Sequence, residues 1–222
     1  MSLHLIDGLS QRWQSLSTSL RADPAAASHV WWTLCERLCE PHRRYHGLSH
    51  VAALLTQAER WADHIRDAHV VQLAIWFHDA VYDPQQDDNE ARSADLARCA
   101  LLDMQIDEAL IPHVTACIAA TAGHRVTTEE VPDLPLFLDL DLAILGGEPR
   151  EYAQYRAAIR AEYAWVEETA FRDARAKVLQ AFLDRPVLYF TEPLRQAYEA
   201  RARDNVLDEL QALSQPIHPI PD

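Results

Sequence analysis

"FLDLDLAIL", residues 137–145, alternates leucine and aspartate as a half-buried strand would. A strand needs a partner, because an unpaired buried backbone is costly. No other segment of the 222 residues offers one. The stretch is therefore expected to start a helix, and the chain becomes all-α: a single-domain, multi-helix bundle. The same stretch sets two carboxylates, Asp139 and Asp141, inside an apolar run, where a charge is costly unless something compensates it.

Helical spacing dominates elsewhere. Helices are expected over about 3–20 and 25–39, the second opening at Asp23-Pro24. "EPHRRYHG" (40–47) breaks the pattern. From about 48 to 62, Leu48, Val51, Ala52, Leu55, Ala58 and Ala62 line one face. The segment 68–81 is apolar nearly all round, as in a helix buried on every side. "YDPQQDDNE" (82–90) reads as a polar loop. Helices are expected near 89–103, 107–122 and 192–213.

No Gly/Ser-rich or Pro-rich linker divides the chain, so one domain is expected over 1–215. "PIHPIPD" (216–222) reads as a short Pro-rich tail. Net charge is −14. Such a surface repels phosphate backbones and anionic membranes, which argues against nucleic-acid polymers and membranes as partners. A small anionic substrate stays open to it through a bound cation. There is no N-terminal signal-like stretch and no segment of roughly 20 apolar residues. Cys35, Cys39, Cys99 and Cys117 form no metal-type pairs. A cytoplasmic protein with buried, reduced thiols is expected.

A second segment raises the question posed by Asp139 and Asp141. In "LAIWFHDAVYD" (73–83), His78 and Asp79 end an apolar run. A third contributor is "RRYHGLSHVAALL" (43–55), where His50 opens a helix and His46 lies one turn earlier. Separate segments thus deliver ionisable groups to the interior, and a divalent cation would offset their desolvation together. A set of His50, His78, Asp79 and either Asp139 or Asp141 mixes imidazole with carboxylate. That set suits Mn²⁺, Fe²⁺, Co²⁺ or Ni²⁺ better than Mg²⁺ or Zn²⁺. One ion is expected, with about two open coordination positions. Each residue also has a plainer role: His46 as a cap for the helix at 48, Asp139 or Asp141 as a helix N-cap, Asn89 and Glu90 as caps of the helix that follows. Gly-rich phosphate loops, G-x-S-x-G elbows and H-E-x-x-H helices are absent.

"YHGLSHV", "WFHDAVYD", "DNEARSA", "TAGH" and "FLDLDLAILG" together resemble the HD superfamily of metal-dependent phosphohydrolases, in its branch of small all-helical bacterial proteins. The resemblance covers most of the chain. It implies an HD-domain-like helical fold and hydrolysis of a small phosphorylated substrate, a phosphomonoester that could be a nucleotide. It places the metal ligands at His50, His78, Asp79 and Asp141, with Asp139 as rival. Around them, Asp79 or a rim carboxylate such as Glu90 would align water. His124 would contact phosphate or donate a proton. Arg44, His46 and Asn89 would contact substrate, with Arg43 or Arg44 neutralising phosphate. Two other functions fit the resemblance: a catalytically silent ligand-binding module, and a di-iron oxygenase needing a second metal. Homo-oligomerisation stays open.

Overall fold

"AHVVQLAIWF" explains the centre of the first half of the molecule. In the computed structural model, which describes residues 3–215, it forms helix α4 (Ala68–Phe77), and every residue from Val70 to Phe77 except Gln72 is buried. Around α4 in the same unit lie α1 (Leu3–Ser19), α2 (Pro24–Leu38), α3 (Leu48–Arg60), α5 (Asn89–Asp103), α6 (Ile111–Ala120) and α7 (Leu134–Asp141). Helices α3, α5, α6 and α7 all pack on α4. Trp76 meets Trp13 and Trp31 edge to face at 5.5 and 5.9 Å, a favoured aromatic geometry. Asp67 caps α4 by accepting from His69 N and Val70 N. Buried Asp133 accepts from the amides of Arg66 and Asp67 at 2.9 and 2.7 Å, which ties the start of α4 to the approach to α7.

The chain separates into two compact units, Met1–Asp141 and Leu142–Asp222. The border falls inside "FLDLDLAILG". The second unit opens with a 3₁₀ turn (Leu142–Gly146), followed by α8 (Pro149–Glu162), α9 (Glu168–Leu183) and α10 (Glu192–Ser214). Helix α10 packs on α9 and on the 3₁₀ turn. A Cβ at Gly146 would lie 2.6 Å from Tyr198 Cβ, so only glycine allows that approach. Among α8, α9 and α10, buried Arg175 donates to both carboxylate oxygens of Glu209, at 2.9 and 3.2 Å. The Tyr152 hydroxyl donates to Glu209 at 2.5 Å. Removing one member strands the other charge, which typically costs about 3–5 kcal/mol. Arg175→Ala is therefore expected to unfold at clearly lower urea concentration than wild type. An unchanged midpoint in a urea titration would contradict this account of the second unit.

The all-α expectation holds: the described residues contain ten α-helices and two 3₁₀ turns, and no strand. Three local expectations are corrected. Stretch 137–145 does not start a helix; α7 begins at Leu134, so Asp139 and Asp141 lie in its last turn and neither is an N-cap. Helix α4 ends at Phe77 rather than 81, because the carbonyls of Asp79 and Ala80 accept from the Arg43 guanidinium. Helices α8 and α9 occupy a stretch to which the periodicity assigned nothing, although Pro149 and the Glu148–Glu151 capping box mark a start there. The thiols also differ: Cys117 is buried and its pKa is pushed up to about 12 by burial, with the charge of Asp133 adding. Cys39 and Cys99 are exposed, and all four cysteines are free. The tail expected at 216–222 lies outside the described residues.

Candidate functional site

His50 sits in the first turn of α3, and His78 is the C-cap of α4. Their Nε2 atoms face each other at 3.2 Å. Asp79 follows directly and brings Oδ2 to 3.1 Å from His78 Nε2 and 3.7 Å from His50 Nε2. Ligand atoms of these three residues all lie within 4.8 Å of one another, the one such His/Cys/Asp/Glu group among the described residues. Asp141, at the end of α7, completes the surroundings from the other side. Its Oδ1 is 3.1 Å from His50 Nε2 and 3.6 Å from His78 Nε2. All four residues belong to the first unit.

Helix geometry separates the two aspartates of "DLDL". On a strand, Asp139 and Asp141 would share a face; on a helix, two positions turn the side chain by about 200°. Asp139 is fully buried, whereas Asp141 pairs with both histidines. The carboxylate at the histidine pair is thus Asp141. As an expected outcome, Asp141→Asn lowers the affinity for Mn²⁺ strongly and Asp139→Asn lowers it less. Isothermal titration of both variants checks this, and an equal or reversed order would move the assignment to Asp139.

Three observations bear on whether these residues fit a cation. First, His78 Nδ1 lies 2.9 Å from Ile75 O. A carbonyl only accepts, so Nδ1 carries a proton and Nε2 is the atom turned to the cluster, the arrangement usual for histidines that bind metal. Second, two Nε2 atoms at 3.2 Å with two carboxylates alongside need a proton or a cation between them. Third, Asp79 Oδ2 is a buried atom with no hydrogen bond, despite its nearness to His78 Nε2. The close approach has the distance of an ion pair without the angle of a hydrogen bond. The residues fit a divalent ion.

The protonation states follow from the same geometry. Burial favours neutral His78, but Asp79 and Asp141 outweigh it and hold the imidazolium well above its ordinary range. Burial pushes Asp79 up, and the opposing effects of His78, His46 and His50 bring it far below the usual carboxylate range. Asp141 is likewise lowered, against burial, by hydrogen bonds from His124, His50 and His78.

His124 joins this cluster. Its Nε2 lies 2.8 Å from Asp141 Oδ2, which leaves Oδ1 to the two other histidines. Its φ of 44° is in the left-handed region, uncommon for a residue with a side chain. The placement is that of a residue orienting Asp141, in addition to any contact with substrate. His46 is half-buried on the rim, with its ring 4.4 Å from Tyr82 and 5.0 Å from Tyr45. The helix at 48 has Gly47 as its N-cap. Arg44 is exposed. Glu90 is half-buried in the first turn of α5.

Asn89 corrects its expectation. Its Oδ1 accepts from Asp83 N, and its Nδ2 donates to Asp83 O and Gln86 O. The carboxamide closes the 83–89 loop and has no donor left over for a substrate. Ser93, fully buried, exchanges hydrogen bonds with Val81 N and O. "DNEARSA" therefore anchors the chain that leaves Asp79. Arg43, weighed as a phosphate contact, is buried against backbone carbonyls instead. Its doublet with Arg44 in the sequence was a signal of positive charge, not of which arginine turns inward.

No family model, no curated protein and no solved structure matches this chain.

Proposed function

We propose that the chain is a metal-dependent phosphohydrolase of the HD type, acting on a small phosphomonoester, with one divalent ion held by His50, His78, Asp79 and Asp141. The observation that carries the reading is the convergence of His50 Nε2, His78 Nε2 and the unbonded Asp79 Oδ2, with Asp141 Oδ1 beside them. Mixed imidazole and carboxylate favour Mn²⁺, Fe²⁺, Co²⁺ or Ni²⁺. When bound, such an ion supplies Lewis acidity toward a phosphoryl oxygen and acidifies water at neutral pH.

The chain's own residues then have separable tasks. The Ile75 carbonyl fixes the His78 tautomer. His124 Nε2 carries the proton shared with Asp141 Oδ2 and keeps that carboxylate from rotating. Asp79, partly open to solvent with 19% of its side chain exposed, can align an attacking water. His46 and Glu90, half-buried on the segments flanking the doublet, can contact the substrate's leaving group or its phosphate. Exposed Arg44 can meet an incoming anion on a surface that is otherwise acidic. Only one ligand cluster lies among the described residues, which favours hydrolysis over two-metal oxygen chemistry. No helix of the described residues is long and apolar enough to cross a membrane, and the acidic surface disfavours nucleic-acid polymers.

The test is a phosphatase screen of Mn²⁺- and Co²⁺-loaded protein across nucleoside monophosphates and sugar phosphates, with Asp79→Ala as the control. Release of phosphate by wild type alone is expected. Tight metal binding without turnover on any of them would instead assign a ligand-binding module.

A further inference from the structure

The segment that runs into the first turn of α3 and the segment that leaves α4 carry the cluster: His46 and His50 on one, His78 and Asp79 on the other. Something must hold them together, because their convergent nitrogen and oxygen atoms repel when no cation or proton lies between them. A single guanidinium bridges the two segments. The Arg43 side chain is 1% exposed. Its Nη1 donates to His46 O at 2.8 Å and to Asp79 O at 2.6 Å. Its Nη2 donates to Ala80 O at 3.3 Å, and its Nε to Glu40 Oε2 at 3.0 Å. The Cζ atom stands 5.4 Å from the centre of the Tyr82 ring, a cation–π distance.

We propose that Arg43 is a positioning residue for the metal centre: by bonding His46 O, Asp79 O and Ala80 O at once, it sets the separation of the two segments that carry the ligands. The inference rests on the metal-centre reading above. Burying a cation against neutral carbonyls is costly, and Glu40, partly exposed, is its one carboxylate partner among the described residues. A purely structural tie between two loops could use uncharged groups. The planar fork of arginine is suited to three carbonyls in different directions, which the point charge of lysine is not. The bridge also follows the end of α4 at Phe77, two residues before Asp79, and so lets the carboxylate turn toward His78 Nε2 rather than continue the helix. His42 adds a weaker tie between the same segments, with its Nε2 2.8 Å from Tyr82 O.

The test measures Co²⁺ affinity from the visible absorption of the bound ion, in wild type, Arg43→Lys, Glu40→Gln and Arg175→Lys. Arg43→Lys keeps the charge and loses the fork. Its Co²⁺ affinity is expected to fall about 10- to 100-fold, the usual effect of removing a group that orients ligands. Glu40→Gln, a milder change at a partly exposed position, is expected to fall about threefold through weaker alignment of the guanidinium. Arg175→Lys disturbs an equally buried arginine of the second unit and is expected to bind Co²⁺ as wild type does, although it melts earlier. Wild-type affinity in a folded Arg43→Lys protein would overturn the positioning role and leave the metal centre standing. Should Arg43→Lys not fold, Glu40→Gln decides, and wild-type affinity there overturns the role. Equal losses in Arg175→Lys would also overturn it, by showing that affinity follows general stability. Failure of wild type itself to bind Co²⁺ would overturn the metal centre and this inference together.

Discussion

Asp79→Ala is expected to lose its divalent metal and, with it, phosphate release. The effect should be the largest of any single substitution in the chain. Groups that merely orient a ligand are worth about 10- to 100-fold in metal affinity. In the proposed ligand set Asp79 would touch the ion itself, so its loss should exceed about 100-fold. The variant should still fold, because Asp79 Oδ2 makes no hydrogen bond and it is the backbone carbonyl, kept in the variant, that Arg43 holds. Elemental analysis of purified wild type and variant reads the result. Wild-type metal content in Asp79→Ala would show that the ligand set is wrong.

The second large effect concerns stability and pH. A ligand at about 100 times its dissociation constant stabilises the folded state by roughly 2.7 kcal/mol. For a chain of this size, that is a melting shift of about 5 to 10 °C. Mn²⁺ should raise the melting temperature by that amount relative to chelator. His78→Ala should abolish the shift. His69→Ala should keep it, because His69 lies nine residues earlier on α4, about 13 Å along the helix, and pairs with Ser19 at the surface. The dependence on pH has a definite sign. His78 in the metal-free fold is held above its unfolded value of about 6.5. The stability it contributes is complete below that value and is lost as pH rises through the raised one. Asp79 and Asp141 are held below their unfolded value of about 3.9. Their contribution is present above that value and is lost as pH falls through the lowered ones. Chelated protein should therefore melt earlier as pH is raised above about 6.5. The Mn²⁺-induced shift should grow over the same range, because the cation replaces the proton of His78. Thermal melts of the three proteins, with chelator and with Mn²⁺, read both trends. A wild-type melting temperature that chelation leaves unchanged, although the metal is demonstrably gone, would contradict them.

Much of the fold was legible because apolar periodicity is a local signal. The bounds of α5 match the expectation at both ends, and those of α1, α2 and α10 agree to within a residue or so. The signal fails where tertiary contacts decide. Helix α4 stops at Phe77 because an arginine 36 positions away captures the next carbonyls, and the 68–81 pattern cannot show that. Helices α8 and α9 carry few buried apolar residues, and part of their inner surface is polar, as at Arg175. A search for apolar stripes passes over such helices.

The candidate site was legible for a different reason: buried ionisable groups in apolar runs stand out by their desolvation cost. His78, Asp79 and the aspartate pair stand out on that ground. Desolvation cost alone does not separate Asp139 from Asp141, since the choice depends on whether the stretch is a strand or a helix. Polar side chains near the doublet read in sequence as facing substrate. Asn89 and Arg43 show the limit of that reading. Both are polar, both flank the cluster, and both are occupied with the backbone that shapes it.

The central claim is that His50, His78, Asp79 and Asp141 hold one divalent cation. The most direct measurement is anomalous diffraction from a crystal of the wild-type protein grown with Mn²⁺, collected on both sides of the manganese absorption edge. The account predicts one edge-dependent peak per chain, bounded by His50 Nε2, His78 Nε2, Asp79 Oδ2 and Asp141 Oδ1. A map with no peak there, or with manganese bound only elsewhere on the acidic surface, would contradict it.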